Sequence, residues 1–571
     1  KQCNVITELI MPLTKLQFKP GINREITKYS NEGGWVDGDK IRFRFGYPEK
    51  FGGWEKMSPN TYQGTARSLH NWLALDGSNF LGVGTHLKYY IEEGGTFNDV
   101  TPLRGTSPFT NALASDPIVT NDTTGTEKQV TINDINHGAA EGDFVTIAGA
   151  DATGGLGTSI LNAEHQITSI TDGNSYIITV STNATSDATG GGSSVTATYQ
   201  INTGLDSQVG GTGWGAGLFG GTTAGALTTQ LNEALDNSET AVDVDDETGI
   251  TTDNDVILVD EELMLVTATT DDNTLTVARG HSGTTAVAHD DDTIVRLAVG
   301  NASSADDFTG WGIAAVSGTT REIRTWSHDN FREDLLINPR DGAIYRWDKT
   351  NGLSTRAVEL STISGAENVP TVAKQVLVSD QGHVFAFGAN TYATDTQDPL
   401  LIRFSSFDNE LEYTVSAVTS AGFLSIGSGS EFIQAVKTKR EILVWTDISL
   451  HTLRYIGYPE YYGIEQISSG ITIMGPHAAV ATQDFVFWMG KDNFYVYAGG
   501  TQTLPCTVKD KVFLDFNSQQ ADKVIAGVNS EFTEVIWFYP SESNSLNNGG
   551  TGDVDKYVVY NYGQKIWYFG S

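Results

Sequence analysis

The chain has 571 residues, which at roughly 100 to 200 residues per domain allows about three to five domains, each long enough to enclose a core. The 62 Gly and the 10% aromatic content are typical of many short strands joined by tight turns, and they do not favour long helices. Cys3 and Cys506 have no CxxC spacing, so they indicate neither a zinc site nor a disulfide framework. No run of about 18 apolar residues is present, so we expect no membrane-spanning segment.

After an N-terminal extension of residues 1–10, the stretch from Met11 to Trp54 alternates turn residues with short runs. The run Lys40–Phe45 has a period of two, which predicts a strand with apolar and basic residues on opposite faces. The apolar face would pack against the rest of the protein, and the basic face would contact water or a partner. The alternative is an ordinary edge hairpin whose Arg and Lys are only solvated. The candidate contact residues are Lys40, Arg42, Arg44 and Lys50.

Acidic residues are concentrated in the middle of the chain. Residues 110–300 hold 28 Asp and Glu against three Lys and Arg, a balance of −25 out of the total net charge of −35. This stretch is also poor in Trp and rich in Thr, Gly, Asn and Ala, so its composition predicts a unit inserted into a host domain. A solvated acidic face is one interpretation of the charge, and repulsion of DNA or membranes is the other.

The insertion is predicted to contain two small β-modules, at 110–203 and 226–300, joined by a Gly-rich linker at 204–225. The strands of both modules are predicted from short runs in which apolar and polar residues alternate, separated by turns of Gly, Asp and Asn. The predicted strands of the first module are Gln129–Ile132, Phe144–Ile147, Glu164–Ile170, Tyr176–Val180 and Val195–Tyr199. Those of the second are Ala241–Val244, Asp255–Val259, Met264–Val266, Thr274–Val277 and Thr293–Leu297.

The sequence on both sides of the insertion repeats one pattern, an aromatic run followed by a turn and a second aromatic run. This pattern is the hairpin unit of a propeller blade. The spacing of 30 to 50 residues is typical of radial β-repeats and predicts about six blades, one before the insertion at 11–109 and the others after it at 301–571. Two unrelated β-sandwiches are the alternative. The predicted blades are centred on Ser68–Tyr90, Arg321–Trp347, Lys374–Phe404, Phe432–Tyr455, Val480–Tyr497 and Val524–Phe569. The predicted fold class is therefore all-β, a propeller-like body with inserted sandwich- or barrel-like modules.

Motifs for catalysis and cofactors are weak. Gly215, Gly217 and Gly220 match GxGxxG but follow no hydrophobic strand, so we interpret them as part of the linker. The chain has neither HExxH nor GxSxG, and its acidic clusters do not fit an EF-hand loop. We therefore predict no catalytic residues, no metal site, no cofactor and no enzymatic activity.

The Met11–Trp54 stretch resembles the opening of nozzle-type tail proteins of short-tailed bacteriophages, and the resemblance extends to residue 104 and, more loosely, over 300–571. In the insertion, the turns His137-Gly138 and Glu141-Gly142-Asp143 resemble a small β-module of phage tail proteins and ubiquitin-activating enzymes. The second module resembles a decoration module of phage structural proteins in four segments, Thr248-Gly249, Val259–Glu262, Asn273–Val277 and Arg279–Thr284.

The nozzle resemblance implies a virion tail protein that forms a homohexameric ring below a portal-adaptor ring, seals in the packaged DNA and then conducts it. The basic hairpin residues would then contact an acidic adaptor surface, while the lumen-facing residues stay unknown. The inserted modules would be spacers, or would contact tail fibres or the host surface. The alternatives are a receptor-binding or depolymerase tail appendage and a cellular propeller scaffold.

Overall fold

The computed structural model describes residues 18–53, 55–104, 110–208, 228–247, 250, 255–260, 262–270, 273–281, 284–299, 323–392, 394, 396–546 and 549–571. The predicted extension at 1–10, Cys3, the GxGxxG glycines and residues 301–322 lie outside these ranges. The chain forms two compact units, of which one combines Lys1–Ser207 with Ile323–Ser571 and the other is Gln208–Glu322.

The first unit begins with an antiparallel hairpin and a four-stranded antiparallel sheet. The hairpin consists of β1 (Ile41–Arg44) and β2 (Tyr47–Lys50). The sheet, blade 1, consists of β3 (Ala66–Leu73), β4 (Asn79–Thr85), β5 (Tyr89–Glu93) and β6 (Thr96–Asp99).

The first inserted module is an eight-stranded antiparallel sheet with its own apolar core, in the order β13-β8-β9-β12-β11-β10-β14-β7. Its elements are β7 (Thr110–Ala112), β8 (Ile118–Thr120), β9 (Gln129–Asn133), β10 (Phe144–Ala148), α1 (Thr158–Leu161), β11 (Glu164–Asp172), β12 (Ser175–Thr179), β13 (Ala188–Gly190) and β14 (Thr196–Tyr199).

The second unit contains a six-stranded antiparallel sheet around a separate core, in the order β15-β20-β17-β18-β19-β16. Its strands are β15 (Thr228–Gln230), β16 (Ala241–Asp243), β17 (Val256–Val259), β18 (Glu262–Thr270), β19 (Thr274–Ala278) and β20 (Ile294–Val299).

Five more four-stranded antiparallel sheets follow in the first unit. Blade 2 is β21 (Trp326–Phe331), β22 (Asp334–Pro339), β23 (Tyr345–Trp347) and β24 (Val358–Glu359). Blade 3 is β25 (Gln375–Val378), β26 (Val384–Phe387), β27 (Leu401–Phe404) and β28 (Gly422–Ser425). Blade 4 is β29 (Phe432–Lys437), β30 (Ile442–Thr446), β31 (Ser449–Gly457) and β32 (Tyr461–Ser469). Blade 5 is β33 (Ala479–Ala481), β34 (Val486–Met489), β35 (Phe494–Tyr497) and β36 (Thr501–Leu504), followed by α2 (Lys509–Phe513). Blade 6 is β37 (Ile525–Asn529), β38 (Glu534–Pro540), β39 (Val554–Asn561) and β40 (Ile566–Gly570).

The first strand of each blade contacts the first strand of the next blade. β3, β21, β25, β29, β33 and β37 contact one another in that order, as the innermost strands of a propeller do. Aromatic rings pack between successive blades, with centroid distances of 5.1 Å for Tyr89 and Trp326 and 5.3 Å for Trp445 and Trp488. Such burial between blades explains how so many aromatic strands avoid solvent.

The first and last blades meet through charged side chains. Arg67 of β3 lies 2.8 Å from Asp553, which precedes β39, and the same carboxylate oxygen lies 3.0 Å from Nζ of Lys523. Blade 1 also packs on blade 2 across the insertion, where the indole N–H of Trp326 donates to the Thr85 carbonyl at 2.8 Å. The prediction of an all-β, propeller-like fold of about six blades that closes across the insertion is therefore confirmed, and the alternative of two separate sandwiches is wrong.

Candidate interaction surface

The tip of the N-terminal hairpin is a two-residue turn in an unusual conformation. Arg44 pairs with Tyr47, and the connecting residues Phe45 and Gly46 both have positive φ, at 52° and 86°. This is the pattern of a type I′ turn, whose twist matches that of antiparallel strands. Gly adopts positive φ freely, but a bulky aromatic residue rarely does, so Phe45 is held in a strained backbone conformation.

The base of the hairpin is anchored on blade 6 through Arg42. Its guanidinium lies 3.2 Å from Oε2 of Glu534 and stacks over the rings of Phe532 and Phe51, at 3.7 and 4.3 Å from their centroids. The other Glu534 oxygen accepts a hydrogen bond from the hydroxyl of Tyr568. Burial raises the pKa of Glu534, while Tyr568 and Arg42 act against that shift. Arg42 therefore joins the first strand of the described residues to blade 6.

The preceding residues extend this anchor. The backbone N–H of Ile22 donates to the Trp567 carbonyl at 2.8 Å, and the Thr507 hydroxyl donates to the Ile22 carbonyl. On β1, Phe43 is buried, with its ring centroid 6.1 Å from that of Tyr568. The hairpin base is thus fixed by apolar packing, hydrogen bonds and an ion pair, and only its tip is free to project.

That tip combines aromatic and basic groups in solvent. Phe45 is 83% exposed and Tyr47 is 74% exposed. Arg44 is also exposed, and its guanidinium lies 5.5 Å from the Phe45 ring centroid. Tyr, Phe and Arg are enriched in protein interfaces, where rigid aromatic side chains supply contact area at low entropic cost. The tip therefore exposes two aromatic rings and one guanidinium close together.

The four predicted contact residues have different environments. Lys40, Arg44 and Lys50 are exposed, and Lys40 lies 3.6 Å from Asp39. Arg42 differs from the prediction, because its side chain is buried against Phe51 and Phe532 and is paired within the chain. We therefore remove Arg42 from the contact surface and assign it to the anchor.

Sequence reasoning missed Phe45 and Tyr47. It placed Phe45 at the end of a strand, on the packing face that the period of two defines. The signal that identifies the tip is the Phe45-Gly46 pair itself, because a Gly between two alternating runs marks a two-residue turn. Glu534, which pairs with Arg42, is 492 residues away in sequence, and no local pattern indicates such a contact.

The first inserted module is attached to the blades by a charged network. Lys88 of blade 1 has a buried side chain and contacts both Asp99, at 3.0 Å, and Glu164 of the module. Arg356 bridges the same two carboxylates, at 3.0 and 3.3 Å. Glu164 of the module is thus bound by two cations of the blades, Lys88 and Arg356.

Among the described residues, no helix has the length and apolarity that crossing a bilayer requires. No family model and no curated protein matches the chain.

Solved structures that align with the chain do so weakly. They include Hsv2 of Kluyveromyces marxianus, at 6% identity and a TM-score of 0.24 over 43% of this chain and 62% of that chain. The endosialidase of phage phi92 aligns at 9% identity and a TM-score of 0.21 over 92% and 59%. PorZ of Porphyromonas gingivalis aligns at 9% identity and a TM-score of 0.25 over 89% and 74%. The chain thus spans about three fifths of the length of the first two proteins, with 62% and 59% of each covered. The fold class of the chain therefore rests on its own sheets and their contacts.

Proposed function

We propose that the protein is a structural subunit of a bacteriophage tail, in which six copies form a nozzle ring below a portal-adaptor ring. The observation that supports this most is the N-terminal stretch, whose sequence resembles that of nozzle proteins. It folds into a hairpin that is anchored on blade 6 and exposes Arg44, Phe45 and Tyr47. A surface of this kind, at the end of a rigid body, suits contact with the next component of an assembly.

The partner surface is proposed to be acidic. Lys40, Arg44 and Lys50 are exposed on or beside the hairpin and outnumber the two exposed acids there, Asp39 and Glu49, within a chain of net charge −35. Opposite charges on two surfaces accelerate association and fix its orientation, whereas like charges disfavour wrong partners. A strongly acidic subunit would therefore be directed to dock through this basic surface.

The overall charge also suits passage of DNA. Each phosphate that a protein neutralises adds a counterion-release contribution to binding, which resists sliding. A net charge of −35 limits such contacts. The protein would therefore guide the genome during ejection without retaining it, and the first module would extend the ring towards fibres or the host surface.

Native mass spectrometry of tails released from virions tests the proposal. A closed ring requires a head-to-tail interface that repeats by rotation, so we expect six copies per tail, released together with the adaptor. A monomer that dissociates alone, or trimeric spikes with carbohydrate-releasing activity, would contradict the nozzle and support a receptor-binding or depolymerase appendage.

A further inference from the structure

The hairpin of β31 and β32 in blade 4 projects beyond the strand beside it, β30. Both of its strands have nine residues, whereas β30 has five. The pairing of β31 with β30 ends at Leu453, opposite Ile442, and in the described structure Arg454–Gly457 pairs only with β32. At about 3.3 Å per residue, these four residues extend the hairpin by roughly 13 Å.

The tip of this hairpin exposes large apolar and aromatic side chains. Tyr458 is 81% exposed, Ile456 is 61% exposed and Tyr455 is 48% exposed. Apolar side chains that are exposed singly are common on protein surfaces, but three of this size in one turn form a contiguous patch. Such a patch is typical of a site that contacts another molecule.

The base of the hairpin is held by the blades on both sides of it. The hydroxyl of Tyr462 in β32 lies 2.9 Å from the hydroxyl of Ser379 in blade 3. On the other side, the Glu441 carboxylate accepts hydrogen bonds from Arg454 of β31, at 2.7 Å, and from Tyr497 of blade 5, at 2.6 Å. A tip on such a fixed base loses little conformational entropy when it binds.

The charges beside the hairpin leave two cations against one acid. Lys437 and Arg454 form ion pairs with acids of the same chain, so their charges are compensated. Lys439 and Arg440, in the turn between β29 and β30, are exposed and form no ion pair within the described residues. The acid left unpaired in this part of the described structure is Glu460, in the turn of the hairpin. The region is therefore locally basic in a chain of net charge −35.

This hairpin lies at the same end of the propeller as the tip of the N-terminal hairpin. Each blade is a four-stranded antiparallel sheet in sequence order, so the turns after its first and third strands share one end. First strands of adjacent blades run in the same direction, as the parallel bridge between His477 and Ile525 indicates. The β31–β32 turn follows a third strand. The N-terminal tip lies beside a turn that follows a first strand, with the Arg44 guanidinium 5.6 Å from the Phe532 ring centroid.

We infer that the β31–β32 hairpin is a second docking element for the acidic component that the N-terminal hairpin is proposed to contact. The inference rests on the proposed function, because it takes the same component as the partner. Tyr458 and Ile456 supply apolar contact area, and Lys439 and Arg440 supply attraction to acidic groups. The aliphatic side chain of Ile456 favours a protein over a glycan as the partner, since glycan surfaces are mostly polar. Two linked contacts with one partner bind more tightly than either contact alone.

Hydroxyl-radical footprinting of the wild-type chain, free in solution and in intact particles, tests this inference. In particles we expect the oxidation of Tyr455 and Tyr458 to fall at least about fivefold, together with that of Phe45 and Tyr47, because contact residues lose their access to water. Tyr392 is the internal control, since it is 37% exposed in the loop after the second strand of blade 3, at the opposite end. Its oxidation should be the same in both samples.

A variant with Ile456→Thr and Tyr458→Ser tests the contact by competition. Expressed together with the wild type, it should enter particles at no more than about a tenth of the wild-type amount, because loss of central contact residues weakens an interface by at least that factor. Ile448→Thr is the matched control, since Ile448 is 49% exposed in the turn after β30, at the opposite end of the same blade. It should enter particles as the wild type does. Both variants change exposed side chains and should keep the wild-type melting temperature.

Equal oxidation of Tyr458 in the free and particle-bound chains, or equal incorporation of the double variant and the wild type, would overturn the inference. Protection of Phe45 in the same experiment would then leave the proposed function intact, whereas protection at neither hairpin would contradict both. Normal incorporation with loss of adsorption to host cells would overturn the inference and assign the hairpin to a surface glycan. Cross-links from Lys439 that reach only other copies of this chain would overturn it in favour of a contact within the ring.

Discussion

Gln434 on the innermost strand of blade 4 joins the innermost strand of blade 5 by two hydrogen bonds to Ala479. Its Nε2 donates to the Ala479 carbonyl at 3.1 Å, and the Ala479 N–H donates to its Oε1 at 3.0 Å. Gln375 makes the same pair of bonds with Ala435 between blades 3 and 4, both at 2.8 Å. The sheets of neighbouring blades are not paired with each other by backbone hydrogen bonds. A glutamine amide supplies two hydrogen bonds between their innermost strands instead.

Replacing Gln434 by Leu should destabilise the propeller by about 2–4 kcal/mol, because a buried N–H and a buried carbonyl lose their partners. Thermal denaturation followed by circular dichroism measures the loss. Gln502→Leu changes an exposed glutamine of blade 5 and should alter stability by no more than about 0.5 kcal/mol. Equal stability of the two variants would show that the paired bonds do not hold the blades together.

Arg42→Met should destabilise the chain by about 3–5 kcal/mol, because it leaves the buried carboxylate of Glu534 without its cation. Replacing both residues, as Arg42→Met with Glu534→Leu, should recover most of that loss. The comparison is Arg44→Met on the same strand, which removes an exposed guanidinium and should change stability by about 0.5 kcal/mol or less. Urea denaturation of the wild type and the three variants measures these changes in stability. If Arg42 were only solvated, Arg42→Met and Arg44→Met would change the stability by the same small amount.

The sequence predicts much of the fold because aromatic alternation and turn residues act locally. The prediction located all six blades and ten strands of the inserted modules. It missed β7, β8, β13 and β15, which have only three residues each and so show little of a period of two. The equally short β16 was predicted, as part of the run Ala241–Val244. The site was harder to predict, since the period of Lys40–Phe45 gives the strand but not which basic residue is buried. Burial of Arg42 depends on Phe532 and Glu534, which only the tertiary structure brings to it.

The second unit should lose stability in acid through Glu262. Burial by itself would raise the pKa of Glu262, but hydrogen bonds from Arg279, His289 and two backbone N–H groups outweigh it and lower the pKa from 4.5 to about 2. A carboxylate with a lowered folded pKa contributes stability above the unfolded pKa, and that contribution is lost as the pH falls through the folded value.

Calorimetric unfolding at a series of pH values should therefore show this unit weakening between about pH 4.5 and pH 2. Glu262→Gln should be less stable at neutral pH and should lack this acid dependence. Asp291→Asn removes an exposed acid of the same unit and should retain the wild-type profile. An unchanged profile in Glu262→Gln would assign the acid sensitivity to other carboxylates.

Phe45→Gly separates the function of the hairpin tip from its folding. Gly adopts the positive φ of this position without strain, so the melting temperature should stay equal or rise slightly. Loss of the exposed ring should nevertheless reduce incorporation of the chain into particles, measured as copies per virion. Phe407→Ala removes another aromatic ring that is 65% exposed and should be incorporated normally. Normal incorporation of Phe45→Gly would mean that the tip makes no contact in assembly.

Electron cryomicroscopy of the intact particle tests the central claim most directly. The account predicts six copies of the propeller around the tail axis, with the Arg44–Tyr47 turn of each copy in contact with the component above. A map in which the chain lies off the axis, or in which this turn faces solvent in every copy, would contradict the proposed nozzle.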